Sequence, residues 1–367
     1  MLKFFLRVVL NFIGRSRREK LLRFLQGFEA PESGVDILVR NNVPDIPHIN
    51  LNDPNFLTSI SHNRIFNIHE KSVDRSSSNA REKKKIYLFN DTSFSRHAGC
   101  RAVMRSIDHQ LQGYDVIARH YVNQYHFNKA IFEQADIIFV NGEGTIHHAQ
   151  KSGNFLMEAL RLGQEMGKKT ILVNAVFQQE DKYYEDVIKK LDFFSVREPL
   201  SLENAKRSGG NPMLLLDSCA DKDLLDFSVK PLFEMPKVSK GTSVACGDYY
   251  NFLHSLDYPY YHIIDTEIPF EYVISTLKTT NVYITGQHHA VYACGLAGIA
   301  FVDIPSNSHK IEGIIKWSGL DIPLYKEGDN IGELVEYAQN NQKMFLEFRD
   351  FLLSKEVFTA GLIKDLV

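Results

Sequence analysis

A regular alternation of strand-like and helix-like segments, which begins at Lys85, constrains the fold of this chain more than any other feature. Strand-like apolar runs cover 85–90, 114–120, 135–142 and 169–176. Helical patterns lie between them, for example at 99–113 and 154–168. Strands that alternate with helices in this way form parallel sheets covered by helices on both faces. The sequence therefore predicts an α/β fold.

A second set of strand signals follows and predicts a second sheet. Its segments are LDFFSVRE (191–198), MLLLDS (213–218), GTSVACGDYYN, YYHIID, NVYITG and IAFVDIP, with VYACGLAG as a buried helix before the last. We expect two tandem Rossmann-like parallel-sheet domains, at 85–190 and 191–340, that face a cleft, and a C-terminal helix at 341–367. Ligands of such sheets bind at the carboxyl ends of the strands, where we expect the functional side chains.

The first 84 residues have a different character. Residues 1–28 mix apolar side chains with Lys3, Arg7 and a basic run from Arg15. This pattern predicts an amphipathic helix that lies on an anionic membrane surface through residues 1–25. A helix packed on the body of the protein is the alternative, and sedimentation with anionic liposomes separates the two. Residues 29–84 carry four prolines and a polar run, which predict an irregular arm or linker.

Charge and cysteine usage exclude several classes of protein. The chain has 42 basic and 45 acidic residues and a net charge of −3, so we expect no nucleic-acid partner. The four cysteines are scattered without a CxxC pair, which argues against a zinc knuckle or a disulfide scaffold and favours a reducing compartment. The pairs His147-His148 and His288-His289 are adjacent histidines that point in different directions, so neither pair alone chelates a metal and we expect no metal site. We also expect no cofactor.

The stretch FVNGEGTIHHAQ, residues 139–150, is the first candidate site. Glycines flank Glu143 and allow backbone and ligand to approach closely. We expect Glu143 or His147 to act as a catalytic base and Thr145 and His148 to contact an acceptor.

A second candidate turn, FNDTSFSRHAGCR, follows the first strand and leads into a helix. A helix N-terminus there favours an anion or sugar hydroxyls. We expect Asp91 to have a catalytic role, Thr92 and His97 to contact the acceptor, and Arg96 to contact the donor. A simple helix cap is the alternative interpretation.

Two more clusters predict an anion site in the second half of the chain. Arg197 follows an apolar strand in SVREPLS and offers a planar fork to a carboxylate or phosphate, or an ion pair to Glu198 or Glu203. The remaining candidates for binding a phosphoanion are Gln287, His288, His289, Ser306, Ser308 and Lys310.

These clusters, in this order, resemble the polysaccharide pyruvyl transferase family over roughly residues 86–320. The pieces that carry the resemblance are GEGTIHH, SVREPLS, LLLDS and ITGQHHAVYACGLAGIAFVDIPSNSHK. The resemblance implies a two-domain GT-B-like fold and transfer of pyruvate from phosphoenolpyruvate onto sugar hydroxyls.

Three residues match the family's functional positions: Arg197 after the SV pair, His289 in the TG-Arg-x-His element, and Lys310 at the end of the following turn. The chain departs from the family at Gln287, where the family has arginine. Loss of a bidentate charged contact weakens binding by about 1.5–3 kcal/mol. Either Arg96 replaces that charge or the donor differs.

Three functions are consistent with these residues. The first is pyruvyl transfer to a bacterial cell-surface polysaccharide, such as capsule or O-antigen, or to its lipid-linked precursor at the cytoplasmic face of the membrane. In this scheme Glu143 or His147 serves as base on the acceptor side, and His289, also a catalytic candidate, lies on the donor side. The second is a glycosyltransferase that uses a nucleotide sugar, such as a CMP-linked acidic sugar. The third is a non-catalytic membrane-associated assembly protein.

Overall fold

A computed structural model describes residues 83–178, 184–237, 243–247, 253 and 256–366. Arg81–Val367 form one compact unit. The predicted amphipathic helix at 1–28 and nearly all of the predicted arm at 29–84 lie outside the described residues. Within the described part, no helix has the length and apolar character needed to cross a membrane.

The first sheet contains six parallel strands in the order β2-β1-β3-β4-β5-β6. The strands are β1 Lys85–Asp91, β2 Asp115–Tyr121, β3 Ile137–Asn141, β4 Lys169–Ala175, β5 Phe193–Val196 and β6 Met213–Leu214. The order reverses at β1, because β2 lies on one side of it and β3 on the other. Strand order and parallel pairing confirm the predicted α/β class.

Helices cover both faces of this sheet. Alternate residues of β1 point to opposite faces, so that Ile86 and Leu88 enter one apolar core while Tyr87 and Phe89 enter another. The helices of this part are α1 Ala98–Gln110, α2 Lys129–Gln134, α3 Lys151–Glu165, α4 Glu185–Ile188 and α5 Pro199–Arg207.

The second sheet contains three parallel strands in the order β7-β8-β9. They are β7 Val244–Cys246, β8 Val282–Thr285 and β9 Ala300–Asp303. The helices that follow β6 in the described chain are α6 Phe270–Leu277, α7 His288–Ala297, α8 Lys310–Ser318, α9 Ile331–Asn340 and α10 Gln342–Ser354. One apolar core joins the inner face of the first sheet to the second sheet.

Two details of the predicted strands need correction. The sequence pattern predicts that the strands at 191–198 and 213–218 belong to the second sheet, but β5 pairs with β4 and β6 pairs with β5, so both belong to the first sheet. The segment YYHIID forms only an isolated bridge between Tyr260 and Cys246 rather than a strand. Sheet membership depends on hydrogen-bond partners far along the chain, which local periodicity does not report.

The C-terminal chain connects the two sheets. Helix α10 packs on the second sheet, where Phe345 and Phe348 contact Phe301 of β9. The chain then crosses to the first sheet, and the ring of Phe358 lies 5.6 Å from that of Phe139 and 5.7 Å from that of Phe193.

Candidate functional site

The site lies where the strand order of the first sheet reverses. Chain segments leave the carboxyl ends of β1 and β3 toward opposite faces, and such a divergence leaves a crevice at the sheet edge. Thr92 follows β1 and Glu143 follows β3, so the topology brings the first two candidate turns together. The Thr92 hydroxyl donates a hydrogen bond to Glu143 Oε2 over 3.1 Å.

Glu143 is held rigidly at this crevice. Its Oε2 also accepts a hydrogen bond of 3.2 Å from the Asn141 side chain. The residue is only 7% exposed. Glycine precedes it for a steric reason, since a Cβ at Gly142 would lie 2.9 Å from the Cβ of Ala175 on β4. The chain at Glu143 therefore runs directly against the neighbouring strand.

His289 approaches Glu143 from the second sheet. It belongs to the first turn of α7, which follows β8 after Gly286 and Gln287. Its Nε2 lies 3.5 Å from Glu143 Oε1 and 3.5 Å from Oδ2 of Asp217. One imidazole nitrogen thus faces two carboxylates, and an N–H at that position can donate to either of them.

Asp217 and Arg197 form a buried ion pair beside His289. Burial by itself raises the pKa of Asp217, but Arg197 and then His289 bring it well below its usual range. Burial by itself lowers the pKa of Arg197, but the negative charges of Asp217 and then Glu143 outweigh that effect and raise it. Both side chains therefore stay charged, and the guanidinium neutralises part of the negative charge at the site.

His288 lies on the other side of Asp217. Its Nε2 is 3.6 Å from Asp217 Oδ2, and its ring lies 4.9 Å from that of Tyr292. Burial, followed by the charge of Arg197, holds the pKa of His288 well below its usual range. His288 is therefore a neutral packing neighbour of the ion pair.

His147, the alternative base, is directed away from Glu143. Its Nε2 lies 3.0 Å from the Gly144 carbonyl, and its Nδ1 lies 2.8 Å from Nδ1 of His148. His148 has a φ of 56°, a left-handed conformation that is uncommon for a side-chain-bearing residue. Burial, followed by the charge of Lys310, lowers the pKa of His147 to about 4. Thr145 has a local contact, a 3.4 Å hydrogen bond to the Gly142 carbonyl.

Asp91 and Arg96 make contacts outside the central group. Asp91 Oδ2 accepts a 2.8 Å bond from Arg119, and its Oδ1 accepts one from the backbone N–H of Ser93. These contacts resemble the turn-capping alternative of the sequence analysis. Arg96 is exposed and lies 3.9 Å from Glu267.

The predicted anion-binding turn lies at the start of α8. Lys310 donates a 2.6 Å bond to Asn307, and its charge is close enough to lower the pKa of both His97 and His147. Ser306 is half-buried. Ser308 is buried, and its hydroxyl has no hydrogen-bond partner among the described residues.

Gln287 occupies the position directly before α7. Its side-chain amide donates a 2.8 Å hydrogen bond to Asp265 Oδ2. The side chain at the position of the family arginine is thus hydrogen-bonded to the carboxylate of Asp265.

Two groups of three side chains within the described residues have the spacing of metal ligands. One consists of His97, Cys100 and His289, and the other of Asp217, Cys219 and His289. Burial raises the pKa of the Cys100 thiol well above its usual range, and the charge of Glu143 adds to this effect. The pKa of His97 shifts in the opposite direction, because burial and then the charge of His289 hold it well below the usual value.

Sequence reasoning missed three polar residues at the strand ends. Asp217 was noticed only as part of LLLDS, although an acidic residue after an apolar run is itself a strand-end signal. Asn141 is the last residue of β3, Asn174 is the penultimate residue of β4, and Asp217 lies three residues beyond β6. The Asn174 side chain accepts 3.1 and 2.9 Å bonds from the backbone and hydroxyl of Ser218. Asparagine signals strand ends weakly, because it is common in turns.

Solved structures with some likeness to this one have low identity and low TM-scores. A protein of uncharacterised function from Klebsiella pneumoniae has 16% identity and a TM-score of 0.43, over 66% of this chain and 93% of that one. A putative UDP-N-acetylglucosamine 2-epimerase from Listeria monocytogenes has 11% identity and a TM-score of 0.44, over 73% and 91%. A UDP-GlcNAc 2-epimerase from Neisseria meningitidis, bound to UDP-GlcNAc, has 7% identity and a TM-score of 0.42, over 77% and 99%.

Sequence comparison with protein families is more informative. No curated protein sequence matches the chain. The family model for polysaccharide pyruvyl transferases matches residues 31–308, which is more than half of the chain. This match confirms the resemblance that the GEGTIHH and SVREPLS segments indicated. The chain is therefore a transferase that belongs to the polysaccharide pyruvyl transferase family.

Proposed function

We propose that this transferase moves a pyruvyl group from phosphoenolpyruvate onto hydroxyls of a bacterial cell-surface polysaccharide or its lipid-linked precursor. The observation that carries the proposal is the 3.5 Å approach of His289, from the second sheet, to the Glu143 carboxylate of the first. A carboxylate and an imidazole from different sheets meet at the sheet edge where ligands of α/β proteins bind. Family membership supports the choice of transferred group.

Glu143 is the base in this proposal. Thr92 and Asn141 fix its Oε2 by hydrogen bonds, so that Oε1 keeps one direction. A fixed carboxylate accepts a proton from an acceptor hydroxyl without first reorganising its surroundings. His147 is not assigned this role, because its ring nitrogens face Gly144 and His148.

The reaction balances with two acceptor hydroxyls. One hydroxyl proton passes through the enzyme to the methylene carbon of phosphoenolpyruvate, and the C2 carbon becomes cationic. Both sugar oxygens form bonds to C2 while the bond from C2 to the phosphate oxygen breaks. Phosphate leaves with the second hydroxyl proton, and the product is a pyruvate ketal.

The donor phosphate is assigned to the start of α7 and to the turn before α8. Backbone N–H groups at a helix N-terminus attract anions, and α7 is a ten-residue helix. Lys310 supplies a positive charge, and Ser308 offers a buried hydroxyl that has no partner among the described residues. Arg197 contributes less charge to the donor, because Asp217 already binds it.

A second candidate function is glycosyl transfer from a nucleotide sugar, such as a CMP-linked acidic sugar. The observation that favours it is the contact of Gln287 with Asp265. The Gln287 amide is neutral and is hydrogen-bonded to Asp265. It therefore offers no positive charge to pair with the carboxylate of phosphoenolpyruvate. The acceptor base would still be Glu143, and the leaving group would be a nucleotide instead of phosphate.

Substitution of Glu143 by Gln tests the proposal. We expect phosphate release from phosphoenolpyruvate, with a glycan acceptor present, to fall by about 10²–10⁴-fold because the acceptor hydroxyl loses its base. Thermal unfolding measured in parallel shows that the variant is folded. Glu158→Gln, on an exposed side chain of α3, is the matched control and should keep the wild-type rate.

Three outcomes would contradict pyruvyl transfer. An unchanged rate in Glu143→Gln would remove the base from the mechanism. Release of CMP from a CMP-linked sugar, without phosphate release from phosphoenolpyruvate, would establish the second function. Full cellular function of Glu143→Gln and His289→Ala, together with its loss when residues 1–25 are removed, would indicate the assembly role.

A further inference from the structure

Three side chains with soft donor atoms converge where α1 and α7 begin. One possible ligand atom from each of His97, Cys100 and His289 lies within 4.8 Å of the others. The Cys100 Sγ is 4.0 Å from Nδ1 of His289, and the rings of His97 and His289 are 4.9 Å apart. Zinc bound to a thiolate and an imidazole has metal–ligand distances of about 2.3 and 2.0 Å, so these atoms need only small shifts to share one ion.

Helix geometry places two of these ligands on one face. His97 is the N-cap of α1 and Cys100 lies three residues later in its first turn. Residues with this spacing are neighbours on a helix surface. Gly99 lies between them, and a Cβ at this position would overlap the His289 ring. The glycine therefore allows α7 to bring its histidine against this face.

The two nitrogens of His289 face different groups. Nδ1 is directed at the Cys100 thiol, whereas Nε2 faces the carboxylates of Glu143 and Asp217, each at 3.5 Å. Histidines that bind metals commonly donate their other N–H to a carboxylate, which fixes the ring and makes the ligating nitrogen more basic. His289 already has this orientation.

One buried nitrogen of the cluster, Nδ1 of His97, lacks a hydrogen-bond partner among the described residues. A buried polar atom without a partner is unfavourable by about 1–3 kcal/mol, so such atoms usually mark a missing ligand or water. A metal ion on this cluster would bind His97 directly and draw the N–H of His289 toward its carboxylates.

The second possible cluster is less suitable for a cation. Asp217, Cys219 and His289 lie around the Nε2 side of the same histidine. Oδ2 of Asp217, however, already binds the buried guanidinium of Arg197. Two positive charges in contact inside a protein repel strongly. The structure therefore favours the Cys100 side.

We propose that His97, Cys100 and His289 bind one divalent cation of the zinc type, with a fourth position left for water or substrate. Two imidazoles and a thiolate suit zinc better than magnesium or calcium, which prefer oxygen ligands. The adjacent histidine pairs, taken by themselves, predict no metal site. The proposed site instead takes one member of a pair and combines it with residues nearly 190 positions away.

Metal content of the full chain tests this proposal without any assay of turnover, so its failure is distinguishable from failure of the proposed transferase reaction. The protein is loaded with zinc, desalted and analysed for bound metal. We expect about one zinc per chain, and loss of more than about tenfold in zinc affinity in Cys100→Ala and in His97→Ala. Cys219→Ala is the matched control and should bind zinc as the wild type does.

Cobalt loading of the unmodified chain gives a second measurement that does not depend on how the variants fold. Cobalt bound to Cys100 should produce a thiolate-to-cobalt absorption band that zinc removes. The proposal is overturned if the wild type retains no zinc and shows no such band. It is also overturned if Cys100→Ala binds zinc as tightly as the wild type, or if Cys219→Ala alone loses the metal.

Discussion

The ionisation state of single residues at this site depends on their neighbours. Asp217 and Arg197 are both buried, yet each stays ionised because the other compensates the loss of water. At His288 the interaction with Asp217 offsets burial only in part, and at His147 the Gly144 carbonyl does so only in part, so both side chains stay neutral. The ionisation state of a side chain at this site therefore depends on which neighbours accompany its burial.

His147 leads to a prediction on the pH dependence of stability. Its pKa in the folded protein is about 4, below the value of about 6.5 in an unfolded chain. As the pH falls from 6.5 toward 4, the unfolded state takes up a proton that the folded state does not, so the free energy of unfolding decreases. Between pH 7 and pH 5, we expect the free energy of unfolding to decrease by roughly 1–2 kcal/mol less in His147→Gln than in the wild type.

Urea unfolding of the wild type and the variant at both pH values measures this effect. His126→Gln, on an exposed side chain, is the control and should change with pH as the wild type does. An equal loss of stability in wild type and His147→Gln would show that His147 is not buried as a neutral group.

At the scale of elements, the site depends on how closely α1 approaches α7. The N–H of Ala98, the first residue of α1, donates a 2.7 Å bond to the carbonyl of Ile264, which precedes α6. Arg105 of α1 adds a 3.0 Å ion pair with Glu271 of α6. These contacts hold the start of α1 in place while Gly99 leaves room for His289.

Gly99→Ala tests this packing. The added methyl group has no space beside the His289 ring, so α1 or α7 must shift. We expect a decrease of about 1–3 kcal/mol in the free energy of unfolding. A larger relative loss of transferase activity should accompany it, because His289 moves away from Glu143.

Gly113→Ala is the matched control, since a Cβ there has no atom within 4 Å among the described residues. Denaturant unfolding and initial rates on the three proteins provide the comparison. Wild-type stability and activity in Gly99→Ala would contradict the close approach of the two helices.

At the scale of the whole described unit, the C-terminal chain joins both sheets. Phe358 is buried against Phe139 of β3 and Phe193 of β5, although the helix before it packs on the second sheet. The N–H of Leu216 donates a 2.8 Å bond to the carbonyl of Glu356, and the N–H of Ala360 donates a 3.0 Å bond to the Gln110 side chain. Removing these contacts therefore affects the sheet that lies first in the sequence.

Phe358→Ala should decrease the free energy of unfolding by about 3–5 kcal/mol, because a large buried ring leaves a cavity between two strands. Since one apolar core spans both sheets, we expect a single calorimetric transition in the wild type and in the variant. Phe94→Ala, at an exposed ring, is the control and should leave the transition unchanged. Splitting of the wild-type transition into two in Phe358→Ala would contradict a shared core.

Local sequence patterns were sufficient for most of the first sheet. The apolar runs at 85–90, 135–142 and 169–176 became β1, β3 and β4 because each buried strand is short, apolar and bounded by polar or glycine-rich turns. The segment YYHIID has a similar composition but forms only a bridge, and β5 and β6 joined the first sheet instead of the second. A strand signal shows that a segment can pair, and not with which partner it pairs.

The sequence by itself determined the fold class, the family and the chemical types of residue at the strand ends, including Glu143, Arg197 and His289. These follow from local periodicity and from short motifs, which are written in neighbouring residues. Only the tertiary structure decided that His289 faces Glu143 and Asp217, that Arg197 is bound by Asp217, and that His97 and Cys100 lie against the other side of that histidine. Distances between residues far apart in the chain depend on strand order and helix packing, and these are set by the whole core at once.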